Sequence, residues 1–269
     1  MNMPLPLPPL NLPFSRRLFC GLALTTVGAA QAQVADLNDA INKAGRQRML
    51  SQRMSKAYLS LGQGIEVAAA RRVLDQSMAL FDRQLAELKA FAPAGAMRET
   101  YQQLESEWSE FKALLVGATP SQAQAKRLIE QDAKVLALAH RGTGLLEQQS
   151  GKPLGKLVNV AGRQRMLSQR MAKFYLAGSW NVEPQAGAQE IAKARDEFVA
   201  ALELLRNAPE ATTEVRQELS LADGQWLFLN NALNARASSP KAASDVFITS
   251  ENLLQVMDRV TGLYARAVH

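Results

Sequence analysis

Two arginines in identical surroundings are the residues of this sequence best placed to do chemistry. Arg48 lies in GRQRMLSQRM at residues 45–54, and Arg165 lies in the same ten residues at 162–171, 117 positions later. Over 41–59 against 158–176, 15 of 19 positions agree, among them Asn42/Asn159, Ala44/Ala161, Lys56/Lys173 and Tyr58/Tyr175. Packing alone asks only for similar apolar residues on one face of a helix. Here polar positions on every face are repeated, which marks a site rather than a piece of core.

Both blocks consist of helix formers with one glycine each, so they are expected to be helical. At 3.6 residues per turn, Ile41, Gly45, Arg48 and Gln52 share one stripe, matched by Val158, Gly162, Arg165 and Gln169. Met49, Leu50 and Met54 flank it on the core side. A mid-helix glycine costs roughly 1 kcal/mol relative to alanine, and close approach of another backbone is the usual offset. The spacing therefore predicts Gly45 packed against Gly162, with Arg48 and Arg165 converging. Two guanidinium groups held close repel each other. A small anion between them relieves the repulsion and accepts charge-assisted hydrogen bonds, and a planar oxyanion fits the planar fork best. The competing reading is an ordinary helix interface, with the arginines snorkelling to water or pairing with Glu on a neighbouring helix.

The stretch Asn42-x-Ala44-Gly45-x-x-Arg48-Met49-x-Ser51-x-Arg53, with its copy from Asn159 to Arg170, resembles the signature of a sensor domain. That domain occurs in nitrate/nitrite sensor kinases (NarX-like). It also occurs at the N-terminus of type IV pilus methyl-accepting chemotaxis proteins (PilJ-like), whose version of the motif is closer to this one. The resemblance implies a periplasmic four-helix bundle that dimerises and holds one nitrate between its motif helices. By that resemblance the ligand-binding residues are Gly45, Arg48, Gly162 and Arg165. Sensors of the family continue into membrane helices and signalling domains, whereas this sequence stops after the sensor-like repeats. The expectation is therefore recognition rather than direct transmission.

The supporting elements follow from the breakers. Helices are predicted over 36–61, 66–91, 96–116 and 121–149, then over 153–180, 184–207, 210–236 and 241–267. Gly62 and Gly64, Pro93, Gly117 with Pro120, and Gly151 with Pro153 divide the first four. Ala208-Pro209 repeats Ala92-Pro93, Trp226 falls where Trp108 did, and Arg259-Val260-Thr261-Gly262 repeats Arg141-Gly142-Thr143-Gly144. The whole unit was duplicated. The expected fold is all-α: two tandem up-down four-helix bundles, 33–150 and 151–269, packed as a pseudo-dimer with helix one parallel to helix five. Trp108 and Trp226 are expected to be core anchors.

Residues 1–32 read as a cleaved export signal. Ser15-Arg16-Arg17-Leu18-Phe19 fits a twin-arginine signal and equally an ordinary basic n-region, and Ala30-Gln31-Ala32 is a cleavage site. An uncleaved anchor is the alternative, although the apolar run is short for a membrane span. The expected location is the periplasm. Losing Arg16 and Arg17 lowers the formal charge from +6 to +4. That mild excess suits a small inorganic anion such as nitrate or nitrite and falls short of a nucleic-acid footprint. Cys20 is the only cysteine, and it goes with the signal. His140 and His269 are the only histidines, so neither disulfide nor dedicated metal site is expected, and no cofactor. No nucleophile–base pair or phosphate loop is legible, and no enzyme is expected. Ser51 and Ser168 are expected to bond their own helix. Met49, Met54, Met166 and Met171 read as core filling rather than copper ligands. Two roles remain: an anion-binding module that docks on a membrane sensor or transporter, and a ligand-free envelope scaffold linked to pili or chemotaxis. Homo-oligomerisation through the motif face is the fallback to pairing within one chain.

Overall fold

The computed structural model describes residues 33–117, 119–234 and 239–267. The expected export signal at 1–32 lies outside them. Among the described residues there are eight α-helices and no strand: α1 (Leu37–Gly62), α2 (Val67–Phe91), α3 (Ala96–Val116), α4 (Gln122–Ser150), α5 (Pro153–Ser179), α6 (Pro184–Asn207), α7 (Thr213–Asn234) and α8 (Pro240–Arg266). The boundaries fall where glycine, proline and side-chain caps put them. The Asp36 carboxylate accepts from Asp39 N at 2.8 Å, and Ser239 Oγ accepts from Ala242 N at 3.1 Å. Pro153, Pro184 and Pro240 occupy first turns, where a missing N–H costs nothing. Helix α7 starts three residues later than expected, because Thr212 Oγ1 accepts from Val215 N and caps it there.

The duplication extends to turn geometry. Glu66 and Glu183, 117 apart, both sit in the left-handed region (φ 47° and 48°) before α2 and α6. Ile65 N donates to Ser60 O, as Val182 N does to Ala177 O. In each repeat the four helices form a ring: α1 on α2 and α4 with α3 closing, α5 on α6 and α8 with α7 closing. Phe81 stacks on Trp108 (centroids 4.2 Å apart) and Phe198 on Trp226 (4.7 Å), so both tryptophans are anchors of their bundles.

The described residues from Gln33 onward form one compact unit. Its largest interhelical contact is α1 against α5, with α8 also touching α1 and α4 touching α5. A Cβ on Gly155 would lie 3.2 Å from Ile41 Cδ1, one on Gly45 3.8 Å from the Gly162 Cα, and one on Gly62 2.1 Å from the Trp180 ring. The early residues of α1 thus meet the early residues of α5, and the late meet the late, which makes the pair parallel.

Candidate functional site

The α1–α5 crossing carries an unusual buried stripe. Arg48, Gln52 and Lys56 on α1, and Arg165, Gln169 and Lys173 on α5, are all essentially without solvent exposure. Gly45 and Gly162 let the two helices approach at the arginines. A Cβ on Gly45 would stand 3.2 Å from Arg48 Nη2 and 3.6 Å from Arg165 Nη2, and one on Gly162 would meet the same two atoms at 3.7 and 3.2 Å. The four residues singled out from the sequence, Gly45, Arg48, Gly162 and Arg165, therefore meet at one point of one chain. Snorkelling is overturned for both arginines: the guanidinium groups turn into the interface.

Each arginine reaches across to the other repeat. Arg48 Nη2 donates to Asn159 Oδ1 at 2.7 Å and to Asn159 O at 3.3 Å, and Arg165 Nη2 donates to Asn42 O at 3.1 Å. Beyond this the symmetry fails. Arg165 forms an ion pair with Asp258 on α8, which also receives Arg46 at 2.8 Å. Among the described residues no carboxylate contacts Arg48. Its Nη1 lies 3.3 Å from His140 Nδ1 on α4, with the guanidinium donating to a neutral imidazole. Arg48 Nε and Arg165 Nε are buried with no hydrogen-bond partner among the described residues.

The charge states follow. Burial first, then Arg163 and Arg165, lower the Arg48 pKa to about 9. Burial lowers Arg165 to about 10, although Asp258 works against it. His140 is pushed below the usual imidazole value by burial and by the Arg48 and Arg163 charges, which keeps it neutral at neutral pH. Asp258 is desolvated, which alone would raise its pKa, yet Arg165 and Arg46 hold it at about 2.

Two further layers lie deeper. Lys56 Nζ donates to Glu251 at 2.6 Å and to Ser250 Oγ at 3.0 Å, and Arg53 pairs with the same Glu251 at 2.5 Å. On the opposite side Lys173 pairs with Asp132 at 2.7 Å, and Gln52 Nε2 donates to both oxygens of that carboxylate at 2.9 Å. These ion pairs join one repeat to the other and fix the register of α1 on α5. Ser51 and Ser168 bond the carbonyls of Arg48 and Arg165, as expected, and the four motif methionines are buried in the core.

The partners that distinguish the two arginines, Asp258 and His140, carried no expectation from the sequence. A signal was present. Extending the Arg141/Arg259 match by one residue sets His140 opposite Asp258.

The family described as type IV pili methyl-accepting chemotaxis transducer N-term (PilJ) matches residues 30–133 and again 146–246. The chain belongs to this family. It carries two copies of a PilJ sensor domain, and the two matches include the two buried motifs. No curated protein and no solved structure matches it. The family is one of sensory domains of chemotaxis transducers rather than a typically catalytic one. Among the described residues no helix is long and apolar enough to cross a membrane, and no cluster of His, Cys, Asp or Glu could hold a metal.

Proposed function

We infer that this tandem PilJ chain is a sensory module for a small planar oxyanion, recognised where α1 crosses α5 and chiefly by Arg48. One observation carries the reading: two fully buried arginines meet at the Gly45–Gly162 contact, and only one of them has a carboxylate. A buried cation without a counter-charge is costly, and a bound anion offsets that cost. Asp258 is the chain's own anion for Arg165. Arg48 contacts a neutral imidazole and the Asn159 amide oxygen, and the Glu147 carboxylate reaches it only through Asn159. Nitrate, nitrite and carboxylates share the planar geometry that a guanidinium fork grips with two hydrogen bonds. A periplasmic location, and delivery of the signal to a membrane sensor or transporter, belong to the same reading. Fractionation of cells producing the tagged chain checks the location.

Thermal melts in nitrate, nitrite, formate, chloride and sulfate at matched ionic strength test the reading. A planar anion at 100 times its Kd raises stability by about 2.7 kcal/mol. The rise is expected for the planar anions, and it should vanish in Arg48→Ala and shrink in Arg48→Lys, which lacks the fork. His140→Asp hands Arg48 the carboxylate that Arg165 already has, so that variant should melt higher and ignore added anions. Identical melts in every salt would instead favour a ligand-free scaffold. The observation on that side is that the Lys56–Glu251, Lys173–Asp132 and Arg165–Asp258 pairs already neutralise most of the interface.

A further inference from the structure

The pseudo-two-fold supplies an internal comparison for the surroundings of Arg48. Matching Arg259-Val260-Thr261-Gly262 to Arg141-Gly142-Thr143-Gly144 sets Asp258 opposite His140 and, two turns earlier, Glu251 opposite Ala133. Beside α8 both carboxylates are in use: Glu251 receives Arg53 and Lys56, and Asp258 receives Arg46 and Arg165. Beside α4 His140 stands where Asp258 would, while Asp132, one residue before Ala133, already serves Lys173 as Glu251 serves Lys56. There a groove of about 400 Å³ runs between α4 and α6 with α5 as its floor, and its lining includes Arg48, Ala133 and His140.

We propose that this groove admits the ligand of Arg48 and that the ligand is a small organic carboxylate with a short aliphatic body. The proposal rests on the oxyanion reading above and narrows it. The head takes the position beside Arg48 that the Asp258 carboxylate takes beside Arg165. The body lies along Ala133, Leu136 and Ala137 of α4 and Met166 and Leu167 of α5.

Three observations favour this class over a bare inorganic ion. The first is chemical identity: on the opposite side the chain fills the equivalent position with Asp258, itself a carboxylate on an aliphatic stem. The second is size. A four-atom anion needs a volume on the order of one or two waters, about 30 Å³ each, whereas the groove falls in the range of pockets for organic ligands. The third is charge. Arg48, Arg163, Arg170 and Lys193 line the groove against Glu190 and Glu197, which leaves cations in excess while His140 is neutral. Arg163 pairs with Glu197 and Arg170 with Glu190, so among the described residues Arg48 is the lining arginine without an acid in contact. His140 lies on the rim, with one edge open to solvent and Nδ1 turned inward against Arg48 Nη1. It turns aside when a carboxylate oxygen takes over its contact, and it then lies next to a negative charge.

The chain has only two histidines, so imidazole NMR reads this position directly, with His140→Gln assigning the signals. The probes are acetate, propionate and butyrate, with nitrate and chloride alongside. Butyrate is expected to shift the His140 ring resonances saturably and to raise its titration midpoint. Each added methylene should tighten binding by up to about fourfold. The double variant Ala133→Glu/His140→Asp, which copies the α8 side, should show no heat of butyrate binding by calorimetry. Nitrate moving His140 while butyrate does not would overturn the carboxylate and leave the oxyanion reading standing. Equal affinities for the three acids would overturn the apolar wall. Butyrate heat without movement of His140 would put the carboxylate elsewhere. No response of His140 to any anion, with melts indifferent to Arg48→Ala, would overturn both readings.

Discussion

At the scale of single residues, the site is decided by which buried cations have acids. Removing one partner of a buried pair leaves the other charge uncompensated, at a cost of about 3–5 kcal/mol. Asp258 is itself nearly half exposed, at 45 %, and Arg165 keeps its bond to Asn42 O, so Asp258→Asn should destabilise the chain by less than that range. The same variant makes Arg165 resemble Arg48, so added formate or nitrate should restore part of the loss. A melt in which Asp258→Asn costs nothing would remove the argument that Arg165 needs a carboxylate. Acid stability reports the same groups. Glu251 is desolvated, but Lys56 and Arg53 hold it at about 2 against an ordinary 4.5. A carboxyl lowered on folding contributes stability that is complete above the unfolded value and is lost as pH falls through the folded one. For Glu251 the window is pH 4.5 to about 2, and the loss is about 3 kcal/mol. Urea midpoints across that window should fall in the wild type and fall less in Glu251→Gln, which starts from a lower stability at neutral pH. Equal slopes in the two would show that Glu251 does not carry the effect.

At the scale of elements, α1 and α5 hold the site because two contacts set their separation. At the first, Gly45 faces Gly162, and a β-branched side chain there meets two guanidinium ends and the facing Cα. Arg48 cannot give way without lengthening its 2.7 Å bond to Asn159. Gly45→Val should cost roughly 1–3 kcal/mol by overpacking and abolish any anion response, whereas an exposed glycine replaced in a helix would gain stability. At the second, Gly62 lies under the Trp180 ring, where even a methyl group would overlap it. Gly62→Ala should shift the Trp180 fluorescence and lower the melting temperature without touching the arginines, which separates packing from site chemistry. Helix boundaries, the duplication and the parallel α1–α5 pair were legible in the sequence because glycine, proline and a long exact repeat act locally. The partners of the stripe were not. Lys56 meets Glu251 and Lys173 meets Asp132 across 195 and 41 residues, and nothing in the motif says which acid on which distant helix turns inward. The repeat also hid the asymmetry. Identical motifs implied identical arginines, whereas the difference lies in α4 and α8, where the copies have diverged.

At the scale of the whole molecule, covalent duplication lets one interface have two unlike halves. A symmetric dimer must place the same group beside both arginines. This chain places an acid beside one and an imidazole beside the other, so one half of the interface carries its own counter-charge in contact and the other does not. The consequence can be tested by cutting the chain. A dimer of two first repeats, residues 33–150, would bury two copies of Arg48 with His140 at each and no acid in the place of Asp258. Its Arg53 would also lose Glu251, which belongs to the second repeat. A dimer of two second repeats, residues 151–269, would carry Asp258 at both arginines and keep Arg170 on Glu190. Sedimentation of the separate halves should then show the second repeat as a stable dimer. The first should be unfolded or weakly associated, and more so at low salt, where fewer small anions are present to stand in for the missing acid. Mixing the halves should draw the first repeat into a folded one-to-one complex. If both halves sediment as folded monomers, the buried stripe tolerates water, and neither the acid of one half nor a ligand of the other is needed to hold it.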